Sequence, residues 1–185
     1  IILEMDTIDN RFPFIEVPQT WWAIKNNYDA ILFSDNKLLL KKSLKRRVPE
    51  LRKTNEIVFE KGNLININTG SSYIKIKCEL SIIGKLMKLF YNIPAVNMTV
   101  LYEDGYSATK RVILENFSSG VDLSSIPLDF VQAADYLNHS GRLSKVKNIS
   151  FTGTGLKFYK KNFSAEFFEI LNGKSQNSIS QLNNL

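Results

Sequence analysis

The sequence predicts a mostly β protein, an antiparallel β-sandwich with two or three short helices, on three observations. First, residues 98–114 are two strand-like runs on either side of Asp104-Gly105. Met98, Val100 and Tyr102 point one way and Thr99, Leu101 and Glu103 the other; after the turn, Val112 and Leu114 oppose Arg111 and Ile113. Side chains alternate across a strand, so this pattern means a sheet with one buried face. Second, Ala30-Ile31-Leu32-Phe33 and Leu38-Leu39-Leu40 flank Asp35-Asn36, another hairpin signal. Third, helical spacing is confined to short stretches, while Gly, Asn and Pro cut the remainder into strand-length pieces.

The 185 residues carry a formal net charge of +6. That length suits one large domain whose core needs no metal or disulfide staple. Residues 1–28 are expected to form a lead-in segment and a short helix packed on the domain, 29–171 the sandwich, and 172–185 a flexible polar tail. The positive balance permits nucleic acid, phospholipid headgroups or acidic glycans as partners, and is equally ordinary for a solvated surface. Cys78 is the only cysteine, which excludes an intrachain disulfide, and it reads as a small buried hydrophobe. No signal-peptide pattern is visible, and no apolar run approaches the roughly 18 residues of a membrane-spanning helix. The chain opens on Ile1-Ile2-Leu3 without a Met and is expected to be a piece of something longer.

Taken in order, residues 1–16 show no clean period and are expected to run extended. Pro18 suits a first helical turn, and residues 19–26 bring Trp21, Trp22 and Ile24 onto a short helix. Adjacent tryptophans cannot share a helix face, so one is expected buried and the other partly exposed. Asn26-Asn27 reads as a left-handed stop. The second arm of the 30–40 hairpin runs into Lys41-Lys42-Ser43-Leu44-Lys45-Arg46-Arg47, the densest charge run in the chain. Its bland reading is a solvated loop. Its functional reading places Lys41, Lys42, Lys45, Arg46 and Arg47 against an anionic membrane surface or a polyanion. It lacks the interleaved aromatics that stack on nucleic-acid bases.

Strands follow at 57–60, 64–68 and 72–80, separated by Gly62 and Asn68-Thr69-Gly70. From Ile82 to Tyr91 the period turns helical, with Leu86, Leu89 and Phe90 together, and the expectation is a lid packed on the sheet rather than a membrane anchor. Asp104-Gly105 suits a two-residue type I′ turn. Ser118-Ser119-Gly120 makes a turn. Ser125 as N-cap, with Pro127 and Asp129, then starts a helix over 127–137 whose inner stripe is Phe130, Val131, Ala134 and Leu137. Strands at 145–151 and 163–170 close the domain, with Thr152-Gly153-Thr154-Gly155 as the hairpin loop between them.

These residues offer little chemistry. Thr152-Gly153-Thr154-Gly155 lacks the Lys-Ser/Thr and the βαβ setting of a phosphate loop. His139, the one histidine, has no cysteine nucleophile nearby and no Gly-x-Ser-x-Gly elbow to serve, and reads as a surface residue. Glu103/Asp104 and Asp122/Asp129 are conceivable acid–base pairs, but each member already has a turn or helix-start role. No catalytic residue, metal site or cofactor is assigned. Sugar rings stack on open Trp and Tyr faces, so Trp21, Trp22, Tyr102 and Tyr106 are the carbohydrate-binding candidates, with packing the competing use of each.

A resemblance adds to this. Val17-Pro18-Gln19-Thr20-Trp21-Trp22-Ala23-Ile24-Lys25-Asn26-Asn27-Tyr28, then Leu38-Leu39-Leu40-Lys41-Lys42, resembles the segment after the last transmembrane helix of bacterial polytopic glycosyltransferase-like membrane proteins. Leu80-Ser81-Ile82-Ile83-Gly84-Lys85-Leu86-Met87-Lys88-Leu89-Phe90, Pro94, the Asp104-Gly105 hairpin with Arg111-Val112-Ile113, Val121-Asp122-Leu123-Ser124-Ser125-Ile126-Pro127-Leu128 and Val146…Ile149-Ser150-Phe151 are similar to the extracytoplasmic C-terminal domains of such proteins. Those domains resemble carbohydrate-binding jelly rolls. The resemblance implies a sandwich of jelly-roll type on the extracytoplasmic face of a bacterial cell membrane, joined to a transmembrane part of the same polypeptide. It implies no catalysis by this piece, since the catalytic acidic residue of those transferases lies in a loop between membrane helices. The implied role is to hold a glycan or lipid-linked sugar, or to stabilise the membrane part, during cell-surface glycan assembly. Two other readings stay open. A free-standing basic module on nucleic acid would bind with strong salt dependence, and a glycoside hydrolase would lose turnover on changing a carboxylate.

Overall fold

The computed structural model describes residues 1–4, 11, 13–34, 37–44, 49–67, 70, 73–138 and 142–171, and its strands fall into three antiparallel sheets. In chain order come β1 (Ile2–Glu4), α1 (Pro13–Glu16), α2 (Pro18–Asn27), β2 (Tyr28–Ser34) and β3 (Lys37–Lys42). Then follow β4 (Glu50–Glu60), β5 (Ile65–Asn66), β6 (Tyr73–Lys77), α3 (Ile82–Phe90), β7 (Val96–Tyr102) and β8 (Ser107–Val112). A 3-10 helix (Leu114–Ser119), β9 (Val121–Asp122), α4 (Phe130–Leu137), β10 (Val146–Thr152), a second 3-10 helix (Thr154–Phe158) and β11 (Asn162–Leu171) complete the chain.

Two four-stranded sheets, ordered β4-β11-β6-β9 and β5-β10-β7-β8, share one core, so the mostly β sandwich expected from alternation is the fold. From one sheet Met98, Val100, Ile149 and Phe151 reach that core, and from the other Ile74, Ile76, Phe163 and Ala165. Each large aliphatic or aromatic side chain so buried contributes about 1.5–3 kcal/mol. The chain changes sheet at every step from β4 to β11 except one, the β7–β8 hairpin. In β7 alternation is complete: Val96, Met98, Val100 and Tyr102 are buried, with Asn97, Thr99 and Leu101 half-exposed between them.

That hairpin does not close with a two-residue turn. Tyr102 N donates to Tyr106 O at 2.9 Å and Gly105 N to Tyr102 O at 3.1 Å, with Gly105 at φ +87°. This is a three-residue loop ending in a glycine bulge, which needs a left-handed backbone at only one residue where a type I′ turn needs two. Asp104 serves instead through its side chain, whose Oδ1 accepts from Tyr106 N at 3.0 Å. Thr152-Gly153-Thr154-Gly155 is not a hairpin loop either, because β10 and β11 lie in different sheets and the segment crosses between them.

The 28–42 hairpin stands outside the sandwich. It pairs with β1 in the order β1-β3-β2, and the inner residues Leu38 and Leu40 form a second core with Phe14, Trp21, Ala133, Tyr136 and Leu137. Part of the lead-in is therefore regular structure rather than extended coil. α2 begins with Pro18 in its first turn, as expected, but ends without a left-handed residue. Asn26 Nδ2 and Asn27 Nδ2 fold back to donate to Trp22 O and Ala23 O (2.8 Å each), one turn earlier in the helix. α4 starts at Phe130, capped by Asp129, whose Oδ1 accepts from Gln132 N at 2.8 Å; Ser125 is not the cap. Its buried stripe is Ala133, Tyr136 and Leu137, while Val131 is exposed. Tyr136 sets that orientation, packing edge-on to Phe14 at 5.1 Å and donating its hydroxyl to Asp122 Oδ2 at 2.8 Å.

Candidate functional site

The solvent side of β5-β10-β7-β8 follows from the strand register, because residues directly opposite share a face. One row is Asn66–Asn148–Leu101–Ser107, the next Ser150–Thr99–Thr109, and the third Thr152–Asn97–Arg111. Apart from Asn148 these side chains are exposed or half-exposed, and Thr99 and Thr109 share a hydrogen bond at 2.8 Å. With strands about 4.8 Å apart the array is on the order of 14 Å wide. Hydroxyls and amides each both donate and accept, so a face that is uncharged apart from Arg111 at one corner matches a polyol with little stripping of water from ions.

The second uncovered face is α3. Ser81 caps it, its Oγ accepting from Gly84 N at 3.1 Å and donating to Phe158 O at 2.9 Å. Gly84 is the buried residue of the helix, and a methyl there would lie 2.0 Å from the Phe158 carbonyl oxygen. The helix thus rests on the Thr154–Phe158 segment by its smallest residue. At 100° per residue, Leu89, Ile82, Leu86, Phe90 and Ile83 span about 120° on the opposite side. All five are exposed, Ile82 at 87% and Leu89 at 75%, and Tyr91 beyond them is exposed as well. The expected lid is therefore inverted: the apolar face points to solvent and the glycine faces the protein.

Lys85 borders this face on one side, and other lysines lie toward the body. Lys85 and Lys88 lie on the helix and Lys157 on the segment beneath it. The neighbouring carboxylates are already engaged: Glu115 takes Lys88 at 3.0 Å, and Glu79 is paired with Lys160. Burial pushes the Glu115 carboxyl up, but hydrogen bonds from Lys88 and the Tyr159 hydroxyl outweigh it and hold the group below the usual carboxylate range. The hydrogen bond from Lys160 likewise lowers Glu79.

Of the carbohydrate candidates, Tyr102 and Tyr106 lie together, their rings 6.0 Å apart, away from the two tryptophans. Trp21 is buried, stacked on Phe14 at 3.9 Å, and Tyr102 is buried with its hydroxyl donating to Ile126 O at 2.8 Å. Neither offers a sugar an open ring face. Trp22 is half-buried, 5.0 Å from the Tyr73 ring, and Tyr106 is exposed at the hairpin tip, so the structure does not gather the four into one site. Lys41 and Lys42 are exposed at the end of β3; Lys45, Arg46, Arg47, Asp35-Asn36, Asn68-Thr69, His139 and the 172–185 tail lie outside the described residues.

Asp122 is engaged in a structural network. Its side chain is buried, with Lys25 at 2.5 Å from Oδ2 and Ser124 N and Oγ donating to Oδ1 at 2.9 and 2.6 Å. Among the described residues no three Asp, Glu, His or Cys side chains gather as a metal set, and no helix is long and apolar enough to cross a membrane. A shallow groove lined by Arg11, Ile15, Glu16, Arg111, Val112 and Ile113 encloses no room even for a water-sized molecule and is no small-molecule cleft.

Fold and faces together define an antiparallel β-sandwich carrying an appended three-stranded sheet. No family model, characterised protein or solved structure matches this chain, so its function is read from these two faces. The apolar side of α3 was legible in the sequence but expected to face the sheet, and the polar array was not singled out. The polar array needed the register of four strands, of which alternation in β7 supplied one row.

Proposed function

We propose that this chain is a non-catalytic glycan-binding domain, the extracytoplasmic part of a bacterial integral membrane protein that takes part in cell-surface glycan assembly. The sandwich is read as a jelly roll. Strand orders 4-11-6-9 and 5-10-7-8, with successive strands exchanged between sheets, support that topology. The observation that carries the function is the outer face of β5-β10-β7-β8, where rows of Asn, Ser and Thr present hydroxyls and amides in register. A glycan laid across these strands exchanges hydrogen bonds with Thr99, Thr109, Ser150 and Asn97, and Arg111 at one corner accommodates an acidic sugar. The resemblance to extracytoplasmic domains of glycosyltransferase-like membrane proteins supports the setting.

The test is titration of the isotope-labelled protein with neutral and acidic oligosaccharides, followed by amide chemical shifts. We expect shifts confined to Asn97–Leu101, Ser107–Arg111 and Asn148–Thr152. The Thr99→Val/Thr109→Val pair should weaken binding about tenfold, as two hydrogen bonds of roughly 0.5–1.5 kcal/mol each would require. Shifts elsewhere, or binding unchanged in the double variant, would reject this face as the glycan site.

A further inference from the structure

We propose that α3 is an interfacial helix, seating its apolar face in the headgroup layer of an anionic bilayer while the sandwich stays in water. Its geometry is that of a helix lying in the membrane plane: a continuous apolar arc of Ile82, Ile83, Leu86, Leu89 and Phe90, Lys85 at one margin, and the aromatic pair Phe90-Tyr91 at one end. The body is attached through Gly84 and Ser81 on the far side, which leaves the apolar arc facing away from the Phe158 segment and exposed.

Two observations select a bilayer over a second copy of the chain. Nine residues make a helix about 13 Å long, whose exposed arc offers a few hundred Å² where a stable dimer buries roughly 800 Å² per partner. The charge around the arc is also one-sided. Lys85, Lys88, Lys157 and Lys160 face two carboxylates, Glu79 and Glu115, each held in a lysine pair. A two-fold contact would set lysines against lysines, whereas an anionic leaflet attracts each basic residue near its surface. This contact is on a different face from the glycan array and does not depend on it.

The experiment is flotation of the protein with vesicles of phosphatidylcholine alone and of phosphatidylcholine with roughly one-third phosphatidylglycerol. We expect binding to the mixed vesicles and far less to the neutral ones. Leu86→Glu/Leu89→Glu should reduce it by about tenfold or more, since each exposed leucine otherwise buries its side chain. Because both leucines are exposed, the double variant should keep the wild-type circular dichroism spectrum and melting temperature. Lys85→Glu/Lys157→Glu should erase the preference for the anionic vesicles. The proposal is overturned if the wild type does not float, or if the leucine variant floats as well as the wild type. It is also overturned if sedimentation shows a dimer that the leucine variant dissolves, which would make the occupant a second copy. Glycan titration without lipid is read separately, so failure of one reading leaves the other standing.

Discussion

Cys78 follows β6 and packs half-buried against the sandwich core. Burial, and then the charge of Glu115, push its thiol up to about 12. The thiolate is the nucleophile, so at neutral pH Cys78 should react with iodoacetamide about 100-fold or more slowly in the folded chain than in the urea-unfolded one. A folded rate equal to the unfolded rate would contradict this burial. The same shift has a pH consequence. The native state prefers the neutral thiol, so its contribution is complete below the unfolded value near 8.5 and is lost as pH rises toward the folded value. Burial raises the hydroxyls of Tyr102, Tyr136 and Tyr159 in the same direction. Melting temperature should therefore fall progressively above about pH 9, and a flat profile there would refute the shifts.

At the scale of elements, alternation announced the strands because each sandwich strand buries one face, and β7 shows it in full. Hairpins at 28–42 and 96–112 were legible for the same reason, although the turn at Asp104-Gly105 was not, since two turn types share that dipeptide. Where the reading failed, it failed on direction. Periodicity found α3 and grouped Leu86, Leu89 and Phe90, yet a period says only that an apolar face exists and not what it meets. In α4 the stripe was set by Tyr136 reaching Asp122, a partner 14 residues away that local spacing cannot reveal. For α3 the informative residue was Gly84, placed opposite the apolar arc. A methyl on Gly84 meets the Phe158 backbone oxygen at 2.0 Å, a clash that movement of the Leu80 side chain, at 3.2 Å, cannot relieve. Gly84→Ala should accordingly lift the helix and cost about 1–3 kcal/mol in urea unfolding. Leu89→Ala on the exposed arc should stay within about 0.5 kcal/mol. Equal costs for the two would mean that the helix docks by its apolar side after all.

The molecule as a whole has two cores, one inside the sandwich and one under the small sheet, and polar side chains join them. Lys25 of α2 belongs to the small-sheet side, Asp122 of β9 to the sandwich, and their side chains are 11% and 5% exposed at a separation of 2.5 Å. Tyr136 of α4 donates to the same carboxylate oxygen, and Lys25 Nζ sits 4.0 Å over the Tyr136 ring. Taking two charges out of water costs nearly what their attraction returns, so the pair adds little net stability, but either member left alone is a buried charge without its counterion. Lys25→Met should therefore destabilise the protein by about 3–5 kcal/mol. Adding Asp122→Asn should restore much of that loss. The amide removes the stranded charge and keeps an oxygen for Ser124, whose N and Oγ approach at 2.9 and 2.6 Å. Urea unfolding of both single variants and the double variant measures the coupling. If the two changes simply added, Lys25 and Asp122 would not be acting as one joint, and other contacts, among them Gln19 with the Tyr73 hydroxyl and Asn116 with the Ile15 and Glu16 carbonyls, would hold the small sheet to the sandwich.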